Sequence, residues 1–118
     1  MIELPLPPKE LHAHAKGHWR TKTAATKRCR ELARVVAMDC RLEKKYNALM
    51  HYRFYFPDRR RRDLANAVHS CKPYIDGIVD AGVIEDDDWT HLSIGSVRGY
   101  VDRENPRVEI ELIEQGEQ

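Results

Sequence analysis

Four consecutive arginines, Arg59, Arg60, Arg61 and Arg62, run directly into Asp63-Leu64-Ala65-Asn66, and an acidic segment, Glu85-Asp86-Asp87-Asp88, follows later in the chain. Guanidinium groups form bidentate hydrogen bonds with phosphate oxygens, and short carboxylates supply the hard oxygen ligands that Mg²⁺ takes. Together they predict metal-assisted chemistry on a nucleic-acid backbone. The arginine run joins the end of a strand to the start of a helix, where backbone N–H groups and the helix dipole also favour anions. Standing alone, such a run reads as a solvated loop. Asp63 has a simpler role open to it, capping the helix, a contribution of roughly 1 kcal/mol. The acidic turn argues for more than a cap, because adjacent like charges repel unless cations offset them. If the intervening helix folds back, Asp63 and the turn can share one Mg²⁺. Ala65 stands where a second carboxylate is expected.

Lys72 would stabilise charge building on a phosphate in the transition state, or it is a surface lysine. A straight helix places it on the face opposite Asp63, and Pro73 makes a straight helix unsafe to assume. The histidines, His12, His14, His18, His69 and His91 among them, show no HExxH or paired spacing, so zinc is not expected. Trp19 and Trp89 could stack on unpaired bases, but a tryptophan more often packs in a core.

The elements that must position these residues are legible from periodicity. Ile2 to Leu6 reads as a short strand stopped by Pro7-Pro8. Lys9 to Lys22 reads as a basic loop around Trp19 that touches a ligand. From Thr23, the residues Ala25, Cys29, Leu32, Ala33, Val36, Ala37 and Cys40 form a helical stripe. Met50, Tyr52, Phe54 and Phe56 alternate as a strand with one buried face, closed by Pro57. Leu64, Val68, Cys71, Ile75 and Val79 recur at helical spacing, with Asp63 as cap, Gly82 as stop and Pro73 dividing the run into 64–72 and 74–81. Leu92 and Ile94, then Val97 to Val101, form a less regular strand, and Val108, Ile110 and Leu112 a clearer one. The order β-α-β-α-β-β predicts an α/β or α+β fold, a mixed sheet with two main helices packed on it.

At 118 residues the chain is expected to be a single domain spanning 1–118. Its near-neutral net charge conceals a polarised molecule: residues 1–62 hold 16 Lys/Arg against 6 Asp/Glu, and residues 63–118 hold 4 against 13. A basic surface for a polyanion and a separate acidic cluster follow. Three cysteines without CxxC spacing argue against a disulfide framework and a zinc knuckle, and for a reducing cytoplasm. The chain shows neither a membrane span nor a signal peptide, so no membrane partner is expected.

Leu4-Pro5-Leu6-Pro7-Pro8, His18-Trp19-Arg20 with Lys22, Arg60-Arg61-Arg62-Asp63-Leu64-x-Asn66, Lys72-Pro73, Asp76-Gly77, and Asp80-Ala81-Gly82-Val83-Ile84 leading into Asp86-Asp87 occur in this order. In order and spacing, over most of the chain, they resemble the RusA-type Holliday junction resolvases of phages and prophages. The resemblance implies a homodimeric, Mg²⁺-dependent endonuclease that nicks opposed strands of four-way junction DNA symmetrically, in recombination and repair, in the cytoplasm of a bacterial host. Carried over, Asp63 and Asp87 match acidic active-site positions, Asp86 is a neighbouring metal ligand, and Lys72 matches the active-site lysine. Trp19, Arg20, Lys22, Arg59, Arg60, Arg61, Arg62 and Asn66 are the expected DNA contacts. The family pattern is Asp-x-Asp-Asn, and here Ala65 replaces its second aspartate. A degenerate copy and a deliberate substitution that traps a DNA complex would both leave this pattern. Alanine cannot coordinate Mg²⁺, so this chain is expected to bind junctions and cleave them poorly. The alternative is a non-catalytic junction or duplex DNA-binding protein; an RNA-binding or ribonuclease module is a third reading. The first two predict salt-sensitive DNA affinity.

Overall fold

A computed structural model describes residues 1–12 and 19–116. The alternation in the middle of the chain forms a strand, β2 (Ala48–Phe56), with Met50, Tyr52 and Phe54 fully buried on one face. Three further strands pair around it: β1 (Ile2–Leu4), β3 (Leu92–Val101) and β4 (Arg107–Glu114). The sheet order is β1-β4-β2-β3, with β4 antiparallel to β1 and β2, and β3 parallel to β2. A parallel pair needs a crossover connection, and residues 57–91 provide it. The fold is α+β with a mixed four-stranded sheet.

Helix α1 (Trp19–Asp39) begins four residues before the apolar stripe and takes in residues read above as loop. Trp19, Arg20 and Lys22 lie in its first turn, and they carry no periodicity signal because they do not face the core. Among the expected stripe residues, Ala25, Cys29, Ala33 and Ala37 are buried, whereas Leu32 is 39% exposed. This line of small side chains lets α1 lie close to the second helical layer. There the run breaks in two as expected, into α2 (Leu64–Ser70) and α3 (Lys72–Asp80), with the joint at Cys71. Pro73 therefore falls in the first turn of α3, where its missing N–H forfeits no helical bond. Gly77 of α3 faces α1 so closely that a Cβ there would stand 2.2 Å from the Arg30 carbonyl oxygen. Tyr74, 1% exposed, donates its hydroxyl to the Pro5 carbonyl at 2.7 Å and ties α3 to the residue following β1.

Two strands depart from their expected outlines. β1 ends at Leu4, so Pro5 rather than Pro7 closes it. β3 is continuous, and its irregularity is a bulge: Met50 pairs with Ile94 and Tyr52 with Val97, leaving Gly95 and Ser96 opposite His51. Ser96 N–H donates to His51 Nδ1 at 2.9 Å, which holds the bulge in place.

Candidate functional site

The crossover from β2 to β3 carries the candidate residues Arg59 to Asp87. After Pro57 the chain folds on Asp58. The Arg62 guanidinium lies 2.8 Å from the Asp58 carboxylate and 4.7 Å from the centre of the Phe56 ring, and it donates to the Asp58 carbonyl at 2.8 Å. The Arg60 N–H also donates to Asp58, and this bond, with Arg62, holds the Asp58 carboxyl below its ordinary range. Arg62 thus shapes the loop, while Arg59, Arg60 and Arg61 are exposed, the Arg60 side chain at 85%.

Asp63 is the N-cap of α2, accepting from Ala65 N–H at 2.9 Å and Asn66 N–H at 3.4 Å. Both bonds fall on Oδ1, so the cap does not consume Oδ2. The side chain of Ala65 is exposed one turn into the helix and brings no donor atom to the site. Asn66 is partly buried beside it. Asp63 also lines a cavity of about 440 Å³ together with Lys9, His12, Arg61 and Arg62, over a floor that includes Phe54 and Phe56. Cationic side chains from the segment after β1 and from the arginine loop therefore meet at one opening, chemistry suited to a phosphate.

Lys72, the first residue of α3, extends its ammonium between two carboxylates. It donates to Asp76 Oδ1 at 2.6 Å and to Asp87 Oδ2, fifteen residues away in the chain. Burial pushes the Lys72 pKa down, but the hydrogen bonds to Asp76 and Asp87 outweigh it and the net shift is upward. The same bond holds the Asp87 carboxyl below its ordinary range. Asp87 N–H donates in turn to Asp86 Oδ1 at 2.7 Å. The remaining acids of the turn are also partnered: Glu85 pairs with Lys44 at 2.5 Å, and Asp88 accepts from the Thr90 hydroxyl at 2.9 Å.

The crowding of like charge that pointed to a cation is thus offset in part by two of the protein's own lysines. No hydrogen bond or ion pair among the described residues joins Asp63 to Asp86, Asp87 or Lys72. Nor does any group of three or more His, Cys, Asp or Glu among them come together to hold a metal ion. The carboxylates have the hard-oxygen chemistry Mg²⁺ prefers, but this arrangement does not assemble the shared site expected from Asp63, Asp86 and Asp87.

Periodicity did not single out Asp76, Lys44, Lys9 or His12 as site residues. The Lys72/Asp76 pair has an i,i+4 signature that was available in the sequence; the others meet only through tertiary structure. The expectation that the tryptophans pack in the core is corrected: Trp19 is 65% and Trp89 79% exposed. Arg20 lies 5.5 Å from the centre of the Trp19 ring. His69 is exposed, and His14 and His18 fall outside the described residues.

No family model matches the chain. It is similar to a protein of Xylella fastidiosa (strain Temecula1 / ATCC 700964) described as "Uncharacterized protein", 34% identical over 92 residues. The alignment covers 72% of this chain and 59% of that protein, so the chain spans less than two thirds of the relative's length. No helix among the described residues is long and apolar enough to cross a membrane.

Proposed function

We propose that this chain is a RusA-type protein that binds four-way DNA junctions as a homodimer and whose hydrolytic centre is incomplete at Ala65. The observation that carries the reading is the meeting of Lys72 with Asp87 on the same crossover that carries the exposed arginine loop. The motif resemblance assigns active-site roles to that pair, and nothing in local sequence brings it together.

The chain's own residues divide the work. Arg59, Arg60 and Arg61 neutralise backbone phosphates, and Arg20 and Lys22 in the first turn of α1 add further cations. Asn66 and Trp19 add polar and stacking contacts. The Lys72 ammonium stands where negative charge on a phosphoryl oxygen would build, and the two carboxylates fix its position. Mg²⁺, the cofactor of the family the chain resembles, would supply a water nucleophile and charge neutralisation when bound. Ala65 withholds one of its oxygen donors, and Lys72 and Lys44 already offset two of the acids. Both facts favour binding over cutting. A homodimer suits paired nicks, because a two-fold axis relates two equivalent centres. The proposed setting is the cytoplasm of a bacterial host, in recombination and repair of phage or prophage DNA.

The same facts favour a second reading, a junction or duplex DNA-binding protein without catalysis. The test incubates this chain and Ala65→Asp with a synthetic four-way junction and a linear duplex, with and without Mg²⁺, resolving products on a denaturing gel. Paired, Mg²⁺-dependent nicks by the variant alone are expected, and they should vanish in Ala65→Asp/Lys72→Met while junction binding persists. Tight binding with no cuts from the Ala65→Asp variant would establish the second reading.

A further inference from the structure

A second cavity, of about 680 Å³, lies where β2 and β3 begin and β4 ends, and Tyr46, Asn47, Trp89, His91 and Glu114 line it. Its walls are fixed by the backbone: Ala48 N–H donates to the His91 carbonyl at 2.8 Å, and Gln115 N–H to the Asn47 carbonyl at 2.8 Å. Two aromatic side chains stand open to solvent there, Tyr46 at 62% and Trp89 at 79% exposure. Asn47 is only 5% exposed; its amide nitrogen donates to the Gly116 carbonyl at 2.9 Å, and its amide oxygen has no hydrogen-bond partner among the described residues. A buried acceptor of this kind is costly to leave unsatisfied, and an ordered water can supply the donor.

Glu114 adds further acceptor oxygens; the donors in the lining are the Trp89 indole N–H and the Tyr46 and Thr90 hydroxyls, of which Thr90 already donates to Asp88. Glu114 accepts from Tyr46 N–H at 3.1 Å and Asn47 N–H at 2.9 Å, one bond on each carboxylate oxygen, so the group is held in place with lone pairs to spare. His91 Nδ1 lies 2.7 Å from the Tyr46 carbonyl, so Nδ1 carries a proton and donates to it. No lysine or arginine among the described residues lines the cavity. Lys44 reaches the Tyr46 ring at 5.5 Å but is paired with Glu85, and Lys45 donates to the Glu43 carbonyl.

We propose that this cavity binds the guanidinium of an arginine presented by a partner protein, stacked on Trp89 and hydrogen-bonded to the exposed Glu114 carboxylate next to Asn47. The ligand must be flat, cationic and rich in donors, and guanidinium is all three. A nucleotide offers a flat base, but its phosphate would meet a carboxylate with no cation among the lining side chains. The site stands apart from the arginine loop and does not depend on the DNA reading.

The test uses the full chain with Trp19→Phe, so that Trp89 is the sole tryptophan. It is titrated with N-acetyl-Gly-Arg-Gly-amide, the citrulline and lysine counterparts, and adenosine 5′-monophosphate. Saturable change in Trp89 fluorescence is expected with the arginine peptide, and about tenfold weaker binding with neutral citrulline, the size of one lost charged hydrogen bond. Glu114→Gln should weaken the arginine peptide to a similar degree. Because that change can disturb the Tyr46-Asn47 turn, the Asn47 side-chain amide resonances of the Trp19→Phe protein give a second readout, expected to shift with the arginine peptide. Equal binding of arginine and citrulline peptides, tighter binding of the nucleotide, or no saturable change with the arginine peptide would each overturn the proposal.

Discussion

Gly77→Ala tests the packing that positions Lys72. The new Cβ would stand 2.2 Å from the Arg30 carbonyl oxygen, 2.8 Å from the Ala33 Cβ and 2.9 Å from the Arg34 nitrogen. Ordinary contact begins at 3.4 Å, so α3 must move off α1 by about 1 Å. Two of the three obstructing atoms are backbone and cannot rotate away. Overpacking of a core costs roughly 1–3 kcal/mol, and the geometry places this change at the upper end. Alanine returns about 1 kcal/mol of helix propensity, for a net loss of about 2 kcal/mol. At about 4 °C per kcal/mol for a domain of this size, Tm should fall by about 8 °C, read by circular dichroism on heating. Adding Ala33→Gly removes one obstruction and leaves the shortest, to Arg30, so recovery should be less than half. An unchanged Tm in the single variant, or full recovery in the double, would refute the backbone-contact reasoning.

Acidification should destabilise the protein. Arg62 and the Arg60 N–H at Asp58, Arg30 at Asp80, Lys72 at Asp87, Arg107 at Asp102, and the Tyr46 and Asn47 N–H groups at Glu114 all hold carboxyls below their ordinary range. The folded state then binds fewer protons than the unfolded one in acid. Stability is therefore fully present above the unfolded carboxylate values of about 4 and lost as pH falls through the folded ones. Tm should be flat between about pH 7 and 5 and drop below about 4; constancy down to pH 2 would contradict the ion-pair assignments. Native protein treated with iodoacetamide should gain one adduct, at half-buried Cys40, while buried Cys29 and Cys71 resist. Burial pushes Cys71 up to about 12, which suppresses its thiolate. Intact-mass spectrometry with and without guanidinium chloride distinguishes one adduct from three.

Periodicity made the core-facing residues legible and little else. The β2 alternation and the line Ala25, Cys29, Ala33 and Ala37 were readable because each repeats against a neighbour. The true start of α1 was not, since Trp19 to Lys22 face away from the core. The β3 bulge was visible only as irregularity, because its cause, the His51 ring opposite Ser96, belongs to another strand. At the site, Asp63 was correctly placed as a cap by its position before an apolar repeat. The partners of the acidic turn were hidden: Lys44 and Lys72 reach it from distant segments. Composition registered only the charge of that turn, not the two lysines that offset part of it.

Within the crossover between β2 and β3, exposed Ala65 stands apart from the residues Tyr74, Ile75 and Ile78 that fill the core. β2 and β3 pair along their length through strand backbone, and the cluster from Arg59 to Asp63 contributes no rung to that ladder. Ala65 lies exposed, so exchange between alanine and aspartate at that position alters no packed contact. Drift between alanine and aspartate at position 65 is then nearly silent to folding, unlike loss of the Asp63 cap or of the Arg62–Asp58 and Lys72–Asp87 pairs. Under the function proposed above, a lineage selected only for a stable, DNA-binding surface could shed and regain hydrolysis by single codon changes at this position while the scaffold stays constant.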